Sequence, residues 1–569
     1  MPDTTIAALN QTMSTEAMMR DLEAFALRVK LSGTADELAS FQYIQGRLQD
    51  CGFQTQLLSH NAYISLPGKA GLRVGNEQIA CITHSFSRAS PAGGTRGELV
   101  YLGAGAPADF AAIDVRGKVA VMDGIANPAA SLRASQAGAI GQLHVSPHDH
   151  KHEMCISPVW GSPNADTLAN LPTTVVLSVA QADGERLKRR LAAGEAVTAT
   201  LEAEVDTGWR PTPILVAELY PDAAGPDAPF VMFSGHHDTW HYGVMDNGTA
   251  NATMMEVARL CASQRHLWRR GLRLCFWSGH SHGRYSGSAW YADQHWDELE
   301  RRCVAHVNID STGGKGATVL TDVLTSAELR GLGGAAVKAQ AGQDIIGLRM
   351  SRAGDQSFWG IGVPSIFMGM SEQPVETTVN LTGSVLGGGG QRKGAGFGWW
   401  WHTPDDTLDK IDPDFLRRDA QVYVQTLWHL LHDAVLPLDY RQWVADFTAE
   451  LAHIASKINF DLSPLRHRAA TLATAVAALQ AANTPAINPG LMRLSRALVP
   501  IDYTSGDRFE HDPALGLSPW PPLDPIRRLA GLEGDDAKFQ SVAAIRARNR
   551  IAHALDQAIA AAQDTLARL

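Results

Sequence analysis

The sequence predicts an α/β fold: a mostly parallel sheet flanked by helices. Two observations carry this. Over residues 210–438 short apolar runs alternate with helical patterns, as they do when crossover helices join parallel strands. Two of those runs, Phe230-Val231-Met232-Phe233 and Val304-Ala305-His306-Val307-Asn308-Ile309, pass directly into His236 and Asp310, as buried strands do when they deliver polar groups at their C-terminal ends.

At 569 residues the chain has room for two to four domains. Ser32-Gly33-Thr34-Ala35-Asp36-Glu37 carries a capping-box pattern, followed by Leu38, Phe41, Ile44 and Leu48 on one helical face. From about residue 59 the texture changes to short strands and turns, clearest at 117–122 and 137–141, and this lasts to about Trp209. Residues 1–58 and 210–438 therefore read as one discontinuous unit and 59–209 as an insert. From 439 to 569 the pattern is helical, with Trp443, Phe447, Leu451 and Ile454 on one stripe and Ile551, Leu555, Ile559, Ala562 and Leu566 on another.

Composition narrows the function. A net charge of −10 without a basic run argues against nucleic-acid binding. The cysteines are scattered, and Cys261, Cys275 and Cys303 sit in apolar contexts typical of reduced thiols. No basic start precedes an apolar core at Met1–Ile6 and no apolar run reaches spanning length, so the expectation is a cytoplasmic protein without membrane contact.

The chemistry is carried by Gly235-His236-His237-Asp238, Met245-Asp246-Asn247, Asn308-Ile309-Asp310 and Trp401-His402-Thr403. A metal-binding imidazole needs an acceptor on its second ring nitrogen, and Asp238 stands two residues after His236, placed to fix its tautomer. Asp246 lies immediately before an apolar helix over 254–260, where a carboxylate can bridge two cations. Nitrogen and oxygen donors in this order across an α/β segment suit zinc.

These motifs resemble the glutamate carboxypeptidase and transferrin receptor group of the co-catalytic zinc aminopeptidase clan. The resemblance implies that His236, Asp246, Asp310 and His402 are metal ligands, with Asp246 bridging. It also implies that 59–209 is a protease-associated domain closing over the cleft, that Ser351–Phe358 contributes to substrate binding, and that 439–569 is a dimerisation domain. A homodimer is therefore expected.

The chain departs from the family at one place. Where the family has a Glu-Glu pair, supplying general base and ligand, it has Trp277-Ser278-Gly279-His280-Ser281-His282-Gly283. Three readings are open: histidines take over as ligand and base, the site has lost catalysis, or a single cation supports a different reaction. In the first, one of His282 and His280 joins the metal ligands and the other imidazole, or a metal-bound hydroxide, takes over proton transfer. His282 is taken as the ligand and His280 and Asp238 as the catalytic residues, with the exchange of the two histidines left open; a neighbouring cation disfavours imidazolium and keeps His280 a usable neutral base. The resulting expectation is a metal-dependent hydrolase holding one or two zinc ions, or another divalent transition metal, and cleaving an amide bond in a small molecule or short peptide. A silent binding or scaffold protein and a lyase or deaminase are the alternatives.

Three further segments invite a reading. His148, His150 and His152 alternate with charged residues as in a solvated loop and are not counted as ligands. The glycine-rich run 386–398 resembles a lid. Of Trp399, Trp400 and Trp401, neighbours whose side chains point apart, at least one should line the cleft or an interface.

Overall fold

A computed structural model of the chain describes residues 4–225, 227–375 and 392–569. The expected sheet is there, and its centre is the strand Phe230–His236, paired in parallel with Gly271–Trp277 on one side and Cys303–Asn308 on the other. Ser365–Ile366 adds a further parallel strand beyond Cys303–Asn308, and Thr198–Leu219 closes the other side antiparallel.

The central strands are fully buried because both faces are covered. Val231 and Phe233 pack into one core with Met254 and Val257 of helix Ala250–Ala262 and with Tyr423 and Leu427 of helix Pro413–His432. Phe230 and Met232 point the other way, onto Trp277, Tyr291 and Phe358. Alternation by two thus sends consecutive apolar residues to opposite cores, which explains why this strand reads as a continuous apolar run. The C-terminal ends of all three central strands open on one side of the sheet.

Two long antiparallel strands, Gln54–Val74 and Thr198–Leu219, run from the core sheet into the inserted segment and back. The positions 58/59 and 209/210, where the sequence changes texture, lie inside these strands. The insert has more helix than its sequence suggests: Pro107–Ala112, Pro128–Gln136 and Gln181–Ala192 alternate with Val119–Asp123, Gly141–Val145 and Val175–Val179, which pair in parallel. The expected helix at the capping box is Ala35–Asp50. Thr34 Oγ1 accepts from Glu37 N, while the Glu37 carboxylate reaches back to Gly33 N.

The last segment forms the helices Tyr440–Ala455, Ser463–Ala482, Asn488–Tyr503 and Gly534–Leu566. Its two apolar stripes pack inside the chain, with Trp443, Phe447, Leu451, Ile454, Ile551 and Leu555 all in the main core. These stripes are therefore intramolecular and do not themselves mark an interface between subunits. Arg496 docks this segment onto the sheet: its buried guanidinium donates to the carbonyls of Glu300, Gly362, Leu299 and Cys303. Among the described residues no helix is long and apolar enough to cross a membrane, and all six cysteines are free thiols.

Because removing one guanidinium leaves four backbone acceptors without that donor in a dry interface, Arg496→Met should destabilise the fold by about 3 kcal/mol or more. The measurement is the urea denaturation midpoint of the variant against the wild type.

Candidate metal centre

His236 is the last residue of the central strand. Gly235 before it lets the neighbouring chain approach, since a Cβ there would lie 2.9 Å from the Ile309 carbonyl oxygen. His236 Nδ1 is 2.8 Å from the backbone oxygen of Asp238. A carbonyl only accepts, so Nδ1 carries the hydrogen and the lone pair of Nε2 points into the site. There Nε2 is buried with no hydrogen-bond partner, 3.2 Å from Asp246 Oδ1 and 3.5 Å from Asp310 Oδ2.

His402 repeats the arrangement from the opposite side. Its Nδ1 is 2.6 Å from the backbone oxygen of Glu153, and its Nε2 is 3.0 Å from Asp246 Oδ2. The two oxygens of Asp246 thus face two imidazoles, as a bridging carboxylate would. Asp246 is held by Asp406, whose carboxylate accepts from Met245 N at 2.8 Å and Asp246 N at 3.0 Å. Burial pushes the Asp406 carboxyl up to about 7.

Two imidazoles and two carboxylates converge here, a donor set that suits a divalent cation in place of protons on the rings. The electrostatics agree. Burial disfavours the imidazolium of His236, but the facing Asp246 and Asp310 outweigh it and hold its pKa well above the usual value. Burial also opposes ionisation of Asp246, yet His236 and His402 depress its pKa strongly.

The His280-Ser281-His282 loop follows strand Gly271–Trp277. His280 joins the cluster: one ring nitrogen of each of His236 and His280 and an oxygen of Asp310 all lie within 4.8 Å of one another. His280 stacks on His236 at 3.6 Å between centroids and 13° between planes. His282, expected as a ligand, lies outside that group of three: its Nδ1 is 2.9 Å from Ser32 Oγ, its ring packs on Trp240, and its Nε2 is buried with no hydrogen-bond partner. The Asp238 carboxylate holds the loop between the two imidazoles, accepting from the backbone N–H groups of His280 at 3.2 Å and Ser281 at 2.8 Å.

Asp238 fixes the His236 tautomer through its backbone carbonyl, while its carboxylate, with Oδ1 3.8 Å from Nδ1, serves the loop and Ser32. It is fully buried, and burial alone would raise its pKa, but the histidines around it hold the carboxyl far below the usual range.

Asp246, His280, Ser281, Asp310 and His402 share one cleft of about 440 Å³, with walls from the insert at Asp123–Ala129 and Met154–Cys155 and from the last segment at Ala514–Gly516. Trp401 lines it, Trp400 is buried, and Trp399 stacks on His150 outside it. The histidine loop of the insert is more than a solvated turn. His152 is buried and binds the Trp401 carbonyl, His148 and His152 meet at 3.1 Å between Nε2 atoms, and Glu153 both accepts from His402 Nδ1 and donates its N–H to the His402 carbonyl. Of the glycine-rich run read as a lid, residues 386–391 lie outside the described residues.

Strand-end donors gathered around one carboxylate suit a divalent cation, and comparison with known proteins agrees. Residues 215–427 match the model of Peptidase family M28. A probable glutamate carboxypeptidase of Zea mays is 24% identical over 513 residues, covering 77% of this chain and 69% of the relative. A Peptidase M28 precursor from Shewanella amazonensis superposes with a TM-score of 0.58 at 18% identity, over 75% of this chain and 96% of that one. The zinc aminopeptidase BSAP from Bacillus subtilis gives 0.56 at 18%, over 74% and 96%. The protein is thus a peptidase-like, metal-dependent hydrolase.

If these donors hold the ion, His236→Ala and Asp310→Ala should each lower bound zinc to well under half of the wild-type content with the fold intact. Elemental analysis of zinc-equilibrated proteins, beside their circular dichroism spectra, measures this; unchanged content in both variants rules the centre out.

Proposed function

We propose that the protein hydrolyses an amide bond in a small molecule or short peptide, with zinc held by His236, Asp246, Asp310 and His402. The observation that carries this reading is the convergence of the ring nitrogens of His236 and His402 and the carboxylate oxygens of Asp246 and Asp310 on one cleft. The bound cation would polarise the substrate carbonyl and acidify a water molecule. The chain's own residues do the rest. Asp246 and Asp310 hold charge against the imidazoles, Asp238 fixes the loop that carries His280, and Trp401 closes one side of the cleft. Arg284 and Arg352 also line it.

The two cation positions are unequal. One has His236, Asp310 and one oxygen of Asp246; the other has His402 and the second oxygen of Asp246, with Ser281 where the resemblance calls for a carboxylate. Ser281 Oγ is buried with no hydrogen-bond partner. A neutral hydroxyl is a weaker donor to a divalent cation than a carboxylate, so one zinc is held tightly and a second weakly. Ser281→Glu should therefore raise zinc stoichiometry from near one towards two per chain in equilibrium dialysis. Stoichiometry of two in the wild type overturns this asymmetry. No metal in zinc-replete protein favours the silent scaffold instead.

A homodimer through the last helices is part of the same proposal. On helix Gly534–Leu566, Phe539, Val542 and Ile545 are 76%, 50% and 43% exposed and recur at three-residue spacing, an apolar edge left uncovered within the chain. Phe539→Glu should then shift the protein from dimer to monomer in light scattering without loss of zinc, whereas an unchanged dimer places the interface elsewhere.

A further inference from the structure

Three buried groups behind His280 are accounted for by neither the metal centre nor the core. Asp355 is 1% exposed, and its Oδ2 lies 2.6 Å from His280 Nδ1. Its other oxygen accepts from Ser288 Oγ at 2.7 Å; Ser288 Oγ meets Ser357 Oγ at 2.9 Å, and Trp160 Nε1 donates to Ser357 Oγ at 2.9 Å. The indole can only donate, and the carboxylate can only accept, so the string has one direction: Trp160 to Ser357 to Ser288 to Asp355. Among the described residues the only ion-pair partner of Asp355 is His280. A buried carboxylate with no arginine or lysine is a costly group to keep, and here the imidazole it pairs with is the one beside the metal cluster.

The stacking of His280 on His236 limits what His280 can do. Imidazole lone pairs lie in the ring plane, and the two planes are parallel to within 13° at 3.6 Å between centroids. An ion bound along the in-plane lone pair of one ring would lie far out of the plane of the other. His280 is therefore placed beside the ion held by His236 and is not a second imidazole ligand to it.

We propose that Asp355 is the positioning residue of His280, and that this His–Asp pair replaces the carboxylate base of related peptidases. The inference rests on the hydrolase reading above. Asp355 holds the hydrogen on Nδ1, which leaves Nε2 bare. Nε2 takes one proton from water as the water oxygen bonds to the carbonyl carbon, and gives it to the leaving nitrogen as the C–N bond breaks. The products are an amine and a carboxylic acid, and Asp355 stays ionised throughout.

The choice of test variant follows from the backbone: Asp355 has φ +54°, a conformation that asparagine tolerates and alanine does not. In Asp355→Asn the hydrogen-bonding shape is kept and the charge is lost. With a panel of amino-acid p-nitroanilides and N-acyl amino acids as probes, kcat should fall roughly 10–100-fold, with KM within about twofold and zinc content unchanged. His280→Gln should lower kcat further, by about 10²–10⁴-fold. The independent readout is nitrogen NMR of zinc-free, 15N-histidine-labelled protein. The signal lost in His280→Gln should report Nδ1–H and bare Nε2 in the wild type, and should show a mixed or reversed tautomer in Asp355→Asn. A wild-type His280 protonated on Nε2, or a tautomer unaltered in Asp355→Asn, overturns the proposal. Loss of zinc together with kcat in Asp355→Asn also overturns it, because the residue would then be structural. If the wild type cleaves no probe, the hydrolase reading fails, and the NMR arm still decides whether the pair exists.

Discussion

The geometry of the site depends on one buried residue, Asp238. Its backbone oxygen sets the tautomer of His236, and its carboxylate holds Ser32 Oγ and the amides of His280 and Ser281. Strand end, N-terminal segment and catalytic loop thus share a single anchor. A carboxylate can serve this many donors only while ionised, and it stays ionised in a dry place because those donors and the nearby imidazoles outweigh its desolvation. Metal ligand and loop are placed by the same bonds, so a displacement of one is a displacement of the other.

Much of this was legible in the sequence where short-range rules apply. Strand Phe230–His236, the placement of Asp246 before a helix and the strand leading to Asp310 follow from apolar runs that end in polar residues, and the structure places them as read. The limits appear where contacts are long-range. Spacing places Asp238 to fix the His236 tautomer but cannot tell its carbonyl from its carboxylate. Loops carry no periodicity, so nothing local separates His280 from His282, and the loop that carries them is held by bonds to Asp238, a residue over forty positions earlier. Asp355 lay within a segment noted for substrate contact, but nothing local ties it to a histidine in another loop. The apolar stripes of the last helices were visible, and only packing shows that they face inwards.

The proposed role of His280 is coherent with its surroundings. A histidine in place of a carboxylate base needs a partner on its second nitrogen, and the string from Trp160 to Asp355 supplies one. A site that had merely drifted would have no reason to keep a buried carboxylate aimed at the substituted residue, since an unpaired charge in the interior lowers stability. Surroundings of this kind argue for a centre rebuilt around imidazole.

The clasp between the insert and His402 has a consequence for regulation. Glu153 contributes both its carbonyl and its amide to His402, and His152 grips the residue before it. The insert is thus mechanically coupled to His402 without entering the group of side chains around Asp246. Any molecule that binds the insert better in one orientation than another must, by thermodynamic reciprocity, shift the affinity for metal by the same factor as metal shifts its own.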